Sequence, residues 1–207
     1  MKILKNLFLL CLLIYFKPTY SNSLTNCFNF TEKYGKQFNI PDKLLTSISL
    51  VESGIKKNNN FVSWPWTLNV SGKPMFFDNK DDVLNFLKKN YKNKNIDVGC
   101  MQISMKYHMD EFDSLENMLD PDSNVKYAAK FLKKLFFKYK RWNEAISRYH
   151  SSVPARKEKY LNRVKNYWAD VRQKKIILHF NDENKRTREK IEYFRRELSN
   201  QLNRLES

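Results

Sequence analysis

Four glycines and six prolines in 207 residues leave too few turn-formers for a sandwich or barrel, which needs a break every ten residues or so. Helices tolerate such a composition, so the scarcity favours a mainly α chain. With 42% hydrophobic and 14% aromatic residues there is enough apolar surface to build a core, which argues against wholesale disorder. The length suits one ordinary domain plus extensions.

The start of the chain reads differently. Lys2 and Lys5 precede an apolar run from Leu7 to Phe16, and small polar Ser21 and Ser23 follow. This order is that of a secretory signal peptide, expected over residues 1–23 and implying export to the periplasm or cell wall. The run is shorter than the roughly 20 residues of a membrane-spanning helix, although an uncleaved anchor is the alternative. Cys11 follows bulky Leu9 and Leu10, which suits a lipoprotein cleavage site poorly. In an exported chain, Cys27 and Cys100 then remain as an even pair, either bridged or as two separate buried thiols. No His stands at ligand spacing from either cysteine, so neither a metal nor a cofactor is called for.

The formal charge of +16 needs a partner. Nucleic acid is the usual first candidate, but the lysines are spread along the chain with no finger or recognition-helix pattern, and an exported protein meets little of it. We expect no nucleic-acid partner. An anionic wall polymer such as peptidoglycan suits the same charge.

Helical spacing organises the middle of the chain. A short helix is expected over about 27–38. After Pro41, placed for a first turn, Leu44, Leu45, Ile48 and Val51 recur on one face, and Gly54 ends the run. Glu52 lies four residues after Ile48 and therefore on or beside that apolar face. Residues 61–77 break into aromatics and turn formers, Trp64-Pro65-Trp66 and Ser71-Gly72, read as an extended loop or short hairpin. Further helices are expected over 81–91, from Pro121 with Val125, Ala128, Ala129, Leu132, Leu135 and Phe136 on one face, over 142–149, and from Pro154 to about Val171. These expectations define one domain over 24–171. Beyond it, residues 172–207 form a charged tail with a thin apolar stripe, either a docking or coiled-coil helix or a solvated segment.

Glu52 is the residue with a chemical address. Protonating a glycosidic oxygen near neutral pH requires a carboxylic acid whose pKa burial has raised. A glutamate ending an apolar helix face, before small Ser53 and Gly54, meets that requirement. A helix-terminal glutamate facing water is the alternative.

Glu52-Ser53-Gly54, Gly99-Cys100-Met101-Gln102-Ile103 and Ala145 to Tyr149 with His150 resemble, in order and spacing, the three motifs of the soluble lytic transglycosylase (SLT) domain. Trp64-Pro65-Trp66-Thr67, Ile96-Asp97-Val98, Asp120-Pro121, Asn124 and Tyr149-His150-Ser151 resemble a subgroup of small exported SLT proteins. The resemblance covers about Leu24 to Trp168 and implies a lysozyme-like fold with a small loop or hairpin insertion. It implies cleavage of peptidoglycan between N-acetylmuramic acid and N-acetylglucosamine, with 1,6-anhydro ends. Glu52 would be the single catalytic acid and then base. Ser53 would match a residue that hydrogen-bonds near the sugar or the glutamate, with a helix cap as the alternative. Met101 and Gln102 would match the cleft wall, with a core position and a surface amide as the alternatives. Tyr149 would match the tyrosine that orients Glu52 or the substrate, with packing as the alternative. The subgroup's pairing would join Cys100 to Cys27. Two departures stand out. His150 replaces the common Asn, and is read here either as a sugar contact or as a structural histidine. Cys100 replaces the common Leu.

Trp64, Trp66 and Phe77 offer flat faces for sugar stacking, with core packing as the alternative; Trp66 is the chosen candidate. Asp97 braces a loop or, alternatively, activates water, which would make the chain a hydrolytic muramidase like goose-type lysozyme. A non-catalytic wall-binding assembly factor is the third reading. The compact size suits local wall opening for a secretion or pilus machine recruited through the tail.

Overall fold

A computed structural model of the protein describes residues 27–57 and 60–173. The expected signal peptide and the tail from residue 174 onward lie outside them. Among the described residues no helix is long and apolar enough to cross a membrane.

The architecture is mainly helical. Helices α1 (Cys27–Gln37) and α2 (Leu44–Ser53) are followed by six short strands, with α3 (Lys80–Lys89) set between the fourth and the fifth. The short helices α4 (Met105–His108) and α5 (Leu115–Leu119), then α6 (Pro121–Tyr139) and α7 (Trp142–His150), come next. A last helix, α8, runs over residues 154–173. The expected helices are all present, although α2 starts later than Pro41 suggested, because Lys43 takes a left-handed conformation with φ of 64°.

Local sequence explains the helix ends. The Asn79 side chain accepts from the Asp82 amide at 3.0 Å at the start of α3, with Asp81 and Asp82 in its first turn and Lys88 and Lys89 in its last. Asp120 caps α6 in the same way, accepting from the Ser123 amide at 3.0 Å with Pro121 at the first helical position.

The region expected as a loop or hairpin is more ordered than its sequence suggests. Strands β1 (Gly54–Lys57) and β2 (Asn60–Ser63) form an antiparallel hairpin. β3 (Thr67–Val70), β4 (Lys73–Phe76), β5 (Ile96–Val98) and β6 (Ile103–Ser104) form an antiparallel sheet in the order β4-β3-β5-β6. Each strand is too short to show a two-residue alternation, and β5 reaches β3 only by closing a loop across α3.

Helix α2 is the central element. Leu44, Leu45, Thr46, Ser47, Ile48, Ser49, Val51 and Ser53 are all buried, so protein covers it on nearly every side. Its small hydroxyls are satisfied internally: Ser47 Oγ donates to the Lys43 carbonyl at 2.7 Å, and Ser49 Oγ shares a 2.7 Å bond with Ser63 Oγ. On α6 the expected face is the core face, with Val125, Ala128, Ala129 and Leu132 buried and Leu135 and Phe136 packed against them. The Cys27 and Cys100 sulfurs are bonded at 2.14 Å, tying the start of α1 to the turn after β5.

Helix α8 runs antiparallel to α2. Trp168 Nε1 donates to the Asp42 carbonyl at 2.7 Å near the start of α2, and Arg163 Nη2 donates to the Val51 carbonyl at 3.3 Å near its end. Tyr160 and Val164, one turn apart, are its buried anchors.

Candidate active site

The coverage of α2 places the Glu52 carboxyl among packed side chains, while one face of the residue stays accessible to solvent. Burial pushes its pKa up to about 7, and the negative charge of Asp97 adds to the rise. A hydrogen bond from Tyr160 and the positive charge of Arg163 work in the opposite direction. The Tyr160 hydroxyl donates to Glu52 Oε1 at 2.5 Å. The result is a carboxyl that shares its proton with solvent near neutrality, the range a general acid needs.

The turn 99–102 lies beside it. Ser53 is buried, and its hydroxyl sits 2.7 Å from the Cys100 carbonyl and 3.1 Å from the Ser49 carbonyl. The hydroxyl hydrogen is directed into the protein, where it locks the end of α2 to the turn. Tyr149 donates its hydroxyl to the Met101 carbonyl at 2.9 Å. Burial and the nearby Glu52 charge hold the Tyr149 phenol well above its usual range.

Met101 belongs to the same turn. Its side chain is fully buried in the core, and its amide donates to Asn124 Oδ1 at 2.9 Å. Asn124 donates in turn to the Val98 carbonyl at 3.0 Å and the Met118 carbonyl at 2.9 Å. This one buried amide thus holds both sides of the turn. Gly99 takes φ of 77°, a conformation that favours glycine, and a Cβ there would press on the Asn124 amide at 3.0 Å.

Gln102 has φ of 47°, in the left-handed region that a non-glycine residue enters at a cost of about 1–3 kcal/mol. Its side-chain amide secures the conformation by donating to the Gly99 carbonyl at 3.0 Å and the Thr67 carbonyl at 3.4 Å. The half-buried side chain is therefore pinned to the same turn.

His150 is exposed and stacks on Tyr160, with ring centroids 4.6 Å apart and planes 5° from parallel. Asp97, in the middle of β5, accepts a side-chain hydrogen bond from Ser104, which holds its pKa down while burial pushes it up more strongly. Trp66 is half-buried against the core and shares no hydrogen bond or ring contact with the Glu52 cluster among the described residues. Trp64 is buried, its indole N–H donating to the Phe77 carbonyl at 2.7 Å, and Phe77 packs on Phe86. Those two aromatics take the core-packing alternative.

Sequence reasoning missed Tyr160 and Arg163. The available signal was the helical spacing of Tyr160, Val164 and Tyr167 after Pro154, which marks an apolar face but not the glutamate it meets. Among the described residues no group of three His, Cys, Asp or Glu side chains is arranged to hold a metal ion.

The family model described as the transglycosylase SLT domain matches residues 29–171, from early α1 to near the end of α8. No match to a curated protein or to a solved structure was found. The matched stretch contains Glu52, the 99–102 turn, Tyr149 and Tyr160, and it covers more than half of the chain. The chain therefore belongs to the transglycosylase SLT domain family, whose chemistry is lytic cleavage of peptidoglycan strands.

Proposed function

We propose that the protein is a lytic transglycosylase that cuts the β-1,4 bond between N-acetylmuramic acid and N-acetylglucosamine, with Glu52 as acid and then base. The observation that carries this reading is a glutamate with its pKa pushed up to about 7, bonded to Tyr160 and adjoining the 99–102 turn. Protonated Glu52 gives its hydrogen to the leaving oxygen as the C1–O bond breaks. The resulting carboxylate takes the proton from the C6 hydroxyl of the same muramic residue, and that oxygen bonds to C1. One proton is lent and recovered, a 1,6-anhydro ring closes, and no water is consumed. One carboxyl suffices, unlike the pair used by most glycosidases.

In this reading Ser53, Asn124 and the pinned Gln102 hold the turn against α2, and Tyr149 orients it through the Met101 carbonyl. His150 borders the site over the face of Tyr160. The enzyme works outside the cytoplasmic membrane, where peptidoglycan is, and segment 1–23 directs it there. The domain spans 24–171, and the charged tail recruits a secretion or pilus assembly machine.

Asp97 favours a second reading. Its charge reaches Glu52 and its own pKa is raised, as a water-activating base would require. Mass spectrometry of soluble products from purified peptidoglycan treated with the full chain separates the readings. Anhydro ends that disappear in Glu52→Gln support the transglycosylase. Reducing ends select the muramidase. Wall binding with no released product in either protein selects the assembly factor.

A further inference from the structure

The first turns of α8 present an unusual face. Arg156, Lys159, Tyr160 and Arg163 follow one another at the i, i+3, i+4 and i+7 positions, which a helix places together. With His150 they line a cavity of about 320 Å³. Tyr160 joins this cavity to the reacting carboxyl, since His150 covers its ring face while its hydroxyl reaches Glu52. The ring of Tyr160 therefore stands between the cavity and the Glu52 carboxyl.

The three cations have no carboxylate within ion-pair distance among the described residues. Their neighbour Lys157 is paired, bonding Glu144 at 2.5 Å. Like charges gathered on one face repel one another, and an incoming anion relieves that repulsion. His150 lies in the same field: desolvation of the ring face stacked on Tyr160 lowers its pKa, and Arg163 and Arg156 lower it further.

We propose that His150, Arg156, Lys159 and Arg163 form a subsite for a carboxylate of the peptide stem carried by the muramic residue beside the scissile bond. The assignment rests on the cleavage reading above. It adds that the enzyme distinguishes glycan with charged stems from bare glycan. A guanidinium and an ammonium on exposed stems supply charge-assisted hydrogen bonds of the kind that recognise carboxylates, in a salt-sensitive way.

The test uses the full chain carrying Glu52→Gln, so that ligand stays uncut. Three ligands are titrated by calorimetry: a short glycan with free stem carboxylates, the same glycan with its stem carboxyls amidated, and stem-free glycan. The first is expected to bind roughly tenfold tighter than the other two. Adding Arg156→Gln with Lys159→Gln, both exposed positions, should abolish that difference. Adding Lys130→Gln with Lys134→Gln, exposed on α6, should leave it intact. Equal affinity for all three ligands overturns the subsite, as does an equal loss in the α6 variant, which would mean diffuse attraction only. Digestion by the parent chain judges the other reading separately. Cleavage without stem preference overturns the subsite alone, whereas stem preference without any cleavage overturns the enzyme and leaves the subsite standing.

Discussion

Tyr160 and Glu52, 108 residues apart in the chain, share a 2.5 Å hydrogen bond in which the phenol donates to the carboxyl. The bond exists because α8 lies antiparallel along α2 and buries Tyr160 against its end. Burial favours the protonated carboxyl and the phenol favours the charged one, and the balance falls at about 7.

Removing the phenol should shift that balance. Tyr160→Phe keeps the ring and deletes the donor, so the Glu52 pKa should rise above about 7. The alkaline limb of the pH–rate profile, where the acid loses its proton, should move to higher pH, with turnover falling roughly tenfold. Rates of soluble product release between pH 5 and 9 check this. A slower enzyme with an unmoved limb would reduce Tyr160 to packing.

The same carboxyl should make stability depend on pH. Below about 4.5 folded and unfolded chains both hold the proton, and the site costs nothing. Between there and about 7 the unfolded chain ionises first, so stability is lost as pH rises through that window. Because one face of Glu52 meets solvent, the loss is on the order of 1–3 kcal/mol. Glu52→Gln should therefore melt a few degrees above the parent at pH 8 and level with it at pH 4. Thermal melts at both values decide, and a gap independent of pH would contradict the assigned shift.

Ser53 offers a direct comparison between a sugar contact and a brace. With its hydroxyl 2.7 Å from the Cys100 carbonyl inside the protein, Ser53→Ala should cost about 1–3 kcal/mol of stability. Turnover should fall as the turn loosens, while KM for soluble glycan stays near the parent value. A large rise in KM at unchanged stability would restore the sugar contact.

The disulfide closes a separation of 73 residues, and loss of such a cross-link costs about 4 kcal/mol in the chain-entropy description. Reduction, or Cys27→Ser with Cys100→Ser, should lower the melting temperature by roughly ten degrees and depress activity with it. Melts with and without dithiothreitol provide the measurement. An unchanged midpoint would show that the bridge contributes little.

The helices were legible because their causes are local. Apolar spacing from Leu44 to Val51 and from Val125 to Leu132, with Asp120-Pro121 at the start of α6, specifies helices and their buried faces within a few turns of chain. The strands were not, since segments of two to four residues acquire their identity from partners such as β3 and β5 across α3.

For the site, the amino-acid order alone determined that a glutamate ends an apolar helix and that a glycine-led turn and a tyrosine follow it at family spacing. Only the tertiary structure decided that Met101 points into the core, that Ser53 faces a carbonyl and that Tyr160 holds the acid. Periodicity reports which side of a helix is greasy. Which atom meets a carboxyl from 108 residues away depends on how α8 settles against α2, and that is settled by packing rather than by local preference.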